Sequence, residues 1–233
     1  MGGSGYIRSM GRTPRVDIGG YVYHVLNRAN GRDDLFEDDG DYEAFERVLA
    51  LAVDRFSMRL LCYCLMPNHW HLLVYPRRDG DLSAFMQWLT LTHTQRVHAH
   101  RHDAGRGHVY QGRYKSFLVS TDRYFFSVAR YVERNALQAN LVKRADAWQW
   151  SSLWRRRNPR KVKDVPVLSP WPVERPRNWL WRVNQPETTG ELESIRRSVA
   201  RGRPFGNARW VQAQVKRLGL ASTVTPRGRP PTQ

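Results

Sequence analysis

His69 and His71, two histidines separated by one residue, are the feature of this sequence best suited to chemistry. Residues two apart on a β-strand face the same side, so both imidazoles would project together while Trp70 faces the other way. Converging imidazoles can bind a divalent metal ion, which acts as a Lewis acid on a phosphate oxygen. Paired histidines on a strand also often make only hydrogen bonds, so the spacing alone leaves both interpretations open.

A second candidate group is a tyrosine and an asparagine on one predicted helix. Tyr131 and Asn135 are four residues apart, so the phenol and the carboxamide share a helix face. Tyrosine can act as a covalent nucleophile, and the amide oxygen of Asn135 is suited to a metal shell. The chain has 10 tyrosines, and a tyrosine on an amphipathic helix usually serves packing. Tyr124 is a rival nucleophile on nearly the same face, but it has Val128 at the fourth position after it.

The elements that would position these groups follow from hydrophobic periodicity. The pattern predicts the order β-α-β-β-α-β and then a further helix, which carries the tyrosine. This order is typical of an α+β, ferredoxin-like or RRM-like fold, with an antiparallel sheet, helices on one face and the other face free for a substrate. Its continuous apolar second strand suits a central position in the sheet. The predicted elements are strand 20–27, helix 41–56, strand 58–66, strand 69–75, helix 82–100, strand 114–120 and helix 123–137.

Charge divides the chain into unequal parts. Residues 1–154 carry 20 Lys and Arg against 16 Asp and Glu, whereas residues 155–233 carry 18 against 5, out of a net charge of +17. A polyanion is the expected partner, because neutralised phosphates release counterions. We predict a tag remnant and N-terminal arm at 1–12, a catalytic domain at 13–154 and a basic DNA-binding extension at 155–233. The catalytic domain should fold without the extension.

The extension contains two weak DNA-binding signals. Predicted helices at 191–199 and 208–218 flank a glycine-containing turn, as in a helix-turn-helix-like hairpin. The sequence Pro-Arg-Gly-Arg-Pro at 226–230 matches the core of an AT-hook, which enters a narrow minor groove. A disordered charge anchor is the alternative for this last segment.

Other features indicate a cytoplasmic protein, and we expect it to be a bacterial protein associated with the nucleoid. Cys62 and Cys64 would lie on one side of a strand, which predicts reduced core residues. No apolar run is long enough to span a membrane. A diffuse set of histidines has no consistent ligand spacing, and we predict that its members are solvated or face DNA. These are His93, His98, His100, His102 and His108.

Taken together, the motifs resemble those of the REP-associated tyrosine transposases. These are relatives of the single-tyrosine transposases of small insertion sequences, within the H-U-H nuclease group (U is a bulky hydrophobic residue). The resemblance covers residues 14–153. The motifs that carry it are Tyr23-His24-Val25 with Asn27-Arg28 and Asn30-Gly31-Arg32, then Met66-Pro67-Asn68-His69-Trp70-His71, Tyr110-Gln111-Gly112-Arg113-Tyr114-Lys115-Ser116, Arg130-Tyr131-Val132-Glu133-Arg134-Asn135-Ala136, Leu141-Val142 and Trp150-Ser151-Ser152.

The resemblance implies an enzyme dependent on Mg²⁺ or Mn²⁺ that cuts single-stranded DNA beside a palindromic hairpin. It implies a 5′-phosphotyrosyl link to Tyr131, with His69 and His71 as metal ligands and Asn135 as a supporting ligand. Ala136 departs from the family pattern, which often has proline there, but this affects only backbone stiffness.

Basic residues in these motifs and in the extension are the predicted DNA contacts, and the long basic tail favours a monomer over a dimer. The predicted DNA-binding residues are Arg28, Arg32, Arg113, Lys115, Arg134, Arg203, Arg227 and Arg229.

Two non-catalytic hypotheses remain open. The same element order supports RNA binding on the sheet face, as in RRM domains. That hypothesis would be favoured if the histidine pair faced the helices. A regulator that binds hairpins without cutting them is disfavoured by the intact set of His69, His71, Tyr131 and Asn135.

Overall fold

The computed structural model describes residues 15–31, 33–102, 107–159 and 164–225. Within them lies a four-stranded antiparallel sheet in the order β2-β3-β1-β4, so the predicted ferredoxin-like fold is confirmed. The elements are β1 Val22–Arg28, α1 Asp39–Arg55, β2 Arg59–Met66, β3 His69–Tyr75, α2 Asp81–Arg101, β4 Lys115–Val119, α3 Arg123–Gln138, a 3₁₀ turn Ala145–Ala147, α4 Ser152–Arg157, α5 Trp179–Asn184, α6 Thr189–Arg201, α7 Ala208–Arg217 and α8 Ala221–Val224.

Successive side chains of the central strands point to opposite faces of the sheet, and this divides the core into two layers. Trp70 and Leu72 of β3 join the layer that contains the apolar residues of α1 and α2. Leu73 joins the opposite layer, with Phe125 and Val132 of α3. Every strand is therefore packed on both faces. The expectation of a free sheet face is wrong, because α3 and the extension cover most of it.

The second strand is an edge strand, which corrects its predicted central position. β2 pairs only with β3 in the sheet, yet from Leu60 to Met66 it is buried. Segments from later in the chain cover its outer edge: the Leu65 amide donates to the Trp150 carbonyl at 2.9 Å, and the Ser169 amide donates to the Leu60 carbonyl at 2.8 Å. Burial on both faces plus a covered edge explains the continuous apolar run.

The extension is part of the same packed unit, so the boundary predicted at residue 154 falls inside it. Arg155 forms a buried ion pair with Glu46 of α1, and Tyr63 donates to the same carboxylate at 2.6 Å. Glu133 of α3, fully buried, accepts hydrogen bonds from Ser152 at 2.6 Å and from the Trp179 indole at 2.7 Å. Both carboxylates thus depend on residues beyond 150.

The two helices predicted in the extension are present as α6 and α7. A capping box between Thr188 and Glu191 begins α6, and Gly202 ends it in the left-handed conformation, with a φ of 67°. The turn that follows is fastened to the edge of β4: the Phe205 amide donates to Leu118, and the Ser120 amide donates to Phe205. The hairpin is therefore docked on the sheet. The AT-hook-like segment and residues 1–12 lie outside the described residues.

The remaining histidine and cysteine predictions have mixed outcomes. Cys62 and Cys64 are buried free thiols, as expected. His93 is a core residue, 3% exposed, whose Nδ1 lies 2.7 Å from the Tyr110 hydroxyl. Its predicted solvated or DNA-facing position is wrong, because it belongs to the apolar face of α2. Among the described helices, none has the length and apolar character needed to cross a membrane.

The buried ion pair gives a stability prediction. Arg155→Ala leaves the Glu46 carboxylate buried without its cation, and we expect the free energy of unfolding to fall by about 3–5 kcal/mol in urea titrations. Arg157→Ala, on the same helix but half exposed, is the control and should cost less than about 1 kcal/mol. Equal losses of unfolding free energy in the two variants would contradict the conclusion that the extension is part of the same packed unit.

Candidate active site

The sheet register brings the histidine pair to the α3 side of the sheet. His71 is opposite Leu26 of β1, and His69 is opposite Arg28. From α3, the Tyr131 ring meets the His71 ring at a centroid distance of 5.5 Å, edge to face. The His69 and His71 rings are 5.0 Å apart. The strand and helix positions predicted for the site therefore converge.

Asn135 joins the two halves of this group. Its carboxamide lies close enough to the His69 ring and the Tyr131 hydroxyl to raise the pKa of His69 and to lower that of Tyr131. Asn135 is almost fully buried, so its amide is held in place between strand and helix. The i, i+4 spacing on α3 puts the phenol and the amide on one face, as expected.

Each histidine ring is also held at its Nδ1 atom. The His69 Nδ1 lies 2.7 Å from the Asn68 side-chain oxygen. The His71 Nδ1 lies 2.9 Å from the Nε2 of His24 on β1. The Nε2 atoms of His69 and His71 are then the ring nitrogens left for a ligand.

Sequence analysis quoted His24 within a motif but did not predict it as a site residue. The signal was the two-residue period of β1, which places residue 24 on the same face as Leu26 and Arg28. Only the antiparallel register of β1 on β3, however, shows that this face carries the histidine pair.

Burial keeps these histidines neutral near pH 7. Desolvation is the main cause in each case, and it lowers the pKa of His69 to about 4 and that of His24 to about 3. The pKa of His71 is lowered in the same way, with further contributions from His69, His24 and Arg28. Neutral imidazoles keep the lone pair that a metal ion requires.

The Tyr131 phenol is subject to opposing influences. Burial raises its pKa above the ordinary value, whereas the neighbouring Asn135 side chain and the positive charge of Arg196 lower it. Arg196 lies on α6, in the extension. Because Val199 of the same helix also lines the cleft, α6 forms one wall of the site, which sequence analysis did not predict.

A cleft of about 660 Å³ opens over this group. His69, His71 and Tyr131 line it, together with the predicted DNA-binding residues Arg28, Arg113 and Lys115. These three cations are exposed. None of the described residues that line the cleft is acidic, so the cleft is suited to a phosphate.

Other predicted DNA-binding residues lie elsewhere. Arg203 lines a second cleft, of about 650 Å³, together with the rival nucleophile Tyr124. Arg134 makes an ion pair with Glu187 at 2.9 Å, which attaches the extension to α3. Arg32, Arg227 and Arg229 are outside the described residues.

The residues present fit a divalent metal ion by their chemistry. Two neutral imidazoles and one carboxamide form a partial donor set that leaves positions open for water or substrate. No cluster of three or more His, Cys, Asp or Glu suited to a metal occurs among the described residues. The third protein ligand predicted from the sequence for a site built on His69 and His71 is the Asn135 amide, which is not a member of such a cluster.

Comparison with known proteins connects this site to a family. The model of the family described as transposase IS200-like matches residues 18–135, a span that contains His69, His71, Tyr131 and Asn135. A solved REP-associated tyrosine transposase bound to a REP hairpin is similar in fold, with a TM-score of 0.55 and 15% identity over 69% of this chain and 93% of that chain. A candidate transposase from Deinococcus radiodurans covers 53% of this chain and 94% of its own, at 18% identity and a TM-score of 0.37. No curated protein matches the chain.

The neutral histidines predict acid sensitivity. His69 has a folded pKa of about 4, against 6.5 for an ordinary histidine. Below pH 6.5 the unfolded chain therefore binds a proton that the folded chain excludes, and stability falls as pH falls towards 4. In this range, His69 should lower the free energy of unfolding by about 1.4 kcal/mol for each pH unit of acidification.

We expect His69→Asn to flatten the slope of unfolding free energy against pH between 6.5 and 4, measured by urea titration. His100→Asn, at an exposed position, should leave the slope unchanged. Indistinguishable slopes for the wild type and His69→Asn would show that His69 is not held neutral.

Proposed function

The chain belongs to the family of IS200-like transposases, and on that premise we propose that it is a metal-dependent nuclease and strand transferase for single-stranded DNA. It acts at palindromic hairpin repeats through a 5′-phosphotyrosine bond to Tyr131. The observation that carries the proposal is the convergence of the metal-ligand candidates with the nucleophile candidate: the His71 ring lies 5.0 Å from the His69 ring and 5.5 Å from the Tyr131 ring.

The reaction is a phosphoryl transfer in two balanced steps. The Tyr131 oxygen bonds to a phosphorus of the strand, and its proton passes to solvent in the cleft. The bond from that phosphorus to the 3′ oxygen of the preceding nucleotide breaks, and the freed oxygen takes up a proton. Because the phosphotyrosine keeps the energy of the phosphodiester bond, a 3′ hydroxyl can reverse the step and rejoin strands.

The protein contributes orientation. The Asn135 side chain, one helix turn after Tyr131, lowers the pKa of the phenol and so favours its deprotonated form, and the Arg196 charge acts in the same direction. Both oppose the effect of burial, which favours the protonated phenol. Holding the nucleophile beside the phosphate in this way converts an intermolecular attack into an intramolecular one.

His69, His71 and Asn135 would hold the metal ion. When bound, it supplies Lewis acidity to a phosphate oxygen and offsets the charge that develops there. Imidazole donors suit Mn²⁺ better than Mg²⁺, which prefers oxygen ligands and retains its waters. The donor set therefore favours Mn²⁺ among the two ions that we consider.

A single DNA strand fits the charge of the cleft. Arg28, Arg113 and Lys115 are exposed on its lining, where each can neutralise a phosphate. The similarly folded transposase was solved with a REP hairpin, which supports a hairpin as the substrate of this chain also.

The sheet-face RNA-binding hypothesis is less well supported. RRM-type recognition uses an open sheet face with aromatic residues. Here that face is packed against α3, whose Phe125 and Val128 belong to the core cluster. The histidine pair faces away from α1 and α2, the helices predicted to cover the sheet, and it lines a cleft together with Tyr131.

The nucleophile can be identified directly. Wild-type protein incubated with Mn²⁺ and a single-stranded hairpin oligonucleotide should form an adduct that survives denaturing electrophoresis and carries the DNA 3′ of the nick. Tyr131→Phe removes one oxygen, so it should bind the oligonucleotide as well as the wild type and form no adduct.

Tyr124→Phe is the matched control, because Tyr124 lies on the same helix but in the second cleft. It should form the adduct at the wild-type level. Peptide mapping that recovers the DNA on any residue other than Tyr131 would refute the mechanism.

The metal requirement is tested separately from binding. Chelation should stop nicking while hairpin binding persists, and Mn²⁺ should restore nicking at lower concentration than Mg²⁺. His71→Ala should resemble chelated wild type at any metal concentration. Nicking that survives exhaustive chelation would exclude the metal role.

A further inference from the structure

His24 is a buried imidazole directly behind the metal-ligand candidate His71. Its Nε2 is 2.9 Å from the His71 Nδ1, and the two residues are 1% and 2% exposed. Phe117 of β4 packs against the His24 ring, at a centroid distance of 4.8 Å. The ring is therefore fixed, but it does not belong to the cleft lining.

A hydrogen bond between two imidazole nitrogens contains one hydrogen, and its position decides what His71 can do. When His71 Nδ1 carries the hydrogen, the neutral ring has its lone pair on Nε2 and can bind a cation there. When His24 Nε2 carries it, the neutral His71 ring has its hydrogen on Nε2 and cannot. The hydrogen bond between His24 and His71 therefore has two possible tautomeric arrangements, and only the first leaves the Nε2 lone pair of His71 for a cation.

The neighbouring His69 indicates which of the two tautomeric arrangements the site uses. Its Nδ1 faces the Asn68 side-chain oxygen at 2.7 Å, and a carbonyl oxygen only accepts hydrogen bonds. The hydrogen of His69 is therefore on Nδ1, and its Nε2 has the lone pair. A metal ion bound through the Nε2 atoms of both histidines needs the same tautomer in both rings.

We propose that His24 is a positioning residue that accepts a hydrogen bond from His71 Nδ1 and so presents His71 Nε2 to a divalent cation. The inference rests on the metal site of the proposed function, and it assigns to His24 the orienting role that a carboxylate or backbone carbonyl often has behind a metal-bound histidine. An imidazole acceptor here avoids placing a charge in the core.

The tautomer can be observed in the protein without metal or DNA. In ¹⁵N-histidine-labelled protein, long-range ¹H–¹⁵N correlation spectra distinguish a protonated from an unprotonated ring nitrogen. We expect His71 to carry its hydrogen on Nδ1 and His24 to carry it on the nitrogen away from His71. A His71 ring with its hydrogen on Nε2 would overturn the proposal.

Two substitutions at position 24 separate hydrogen bonding from packing. The side-chain amide of His24→Gln reaches the position of Nε2 and keeps an acceptor, whereas His24→Leu fills similar space without one. With Tyr131→Phe as the common background, Mn²⁺ affinity is measured by electron paramagnetic resonance of the free ion, without DNA. We expect His24→Leu to bind Mn²⁺ about 10- to 100-fold more weakly and His24→Gln to remain close to its parent.

The outcomes separate this inference from the proposed function. Wild-type Mn²⁺ affinity in a folded His24→Leu variant, or equal losses in both variants, would overturn the role of His24 while leaving the Tyr131 adduct intact. An absent Tyr131 adduct would refute the proposed function without changing the tautomer of His71. If His24→Leu does not fold, the wild-type spectra still decide.

Discussion

The alternation of side-chain direction along β3 is the constraint on which the rest of the site depends. The strand is paired on both sides and packed on both faces, so each residue must belong to one layer or the other, and a slip of one residue would exchange the layers. Two contacts fix the register: the Trp70 indole donates to the Tyr110 hydroxyl at 3.1 Å in the α1–α2 layer, and His71 meets His24 in the α3 layer. The turn at residues 67–68 fixes the same register from one end.

Buried carboxylates explain why the extension cannot be treated as an appendage. An unpaired carboxylate in a core is far costlier than an unpaired amide, and both Glu46 and Glu133 have hydrogen-bond partners beyond residue 150. Glu133 lies between the residues proposed for catalysis on α3, so its partners Ser152 and Trp179 also hold the helix that carries Tyr131. Ion pairs from Arg130 and Arg134 to α6 and the segment before it continue this attachment on the next helix face. The positions of the residues proposed for catalysis therefore depend on how the extension packs against α3.

Periodicity predicted those parts of the structure that depend on one element at a time. The common face of His69 and His71, and that of Tyr131 and Asn135, follow from strand and helix repeats, and so does the order of the elements. Periodicity does not specify which elements become neighbours, so His24 and Arg196 could not be found. The continuous apolar run of β2 led to a wrong prediction of a central strand, because an edge strand that is covered by other segments has the same apolar pattern. Charge counting could not separate structural arginines such as Arg155 from exposed ones.

The distribution of charge around the cleft leads to a final point about metal and DNA. Neutral groups form the interior, whereas the cations Arg28, Arg113 and Lys115 are exposed on the lining, and none of the described lining residues is acidic. In the proposed site, neutral ligands leave the whole charge of a divalent ion available to a phosphate, but they attract the ion weakly in a protein of net charge +17. A bound strand supplies the missing negative charge. Because coupling between two ligands is reciprocal, DNA that strengthens metal binding must itself be bound more tightly when the metal is present. If the proposed function holds, a cleft without carboxylates among its described lining residues would link metal binding to the arrival of DNA.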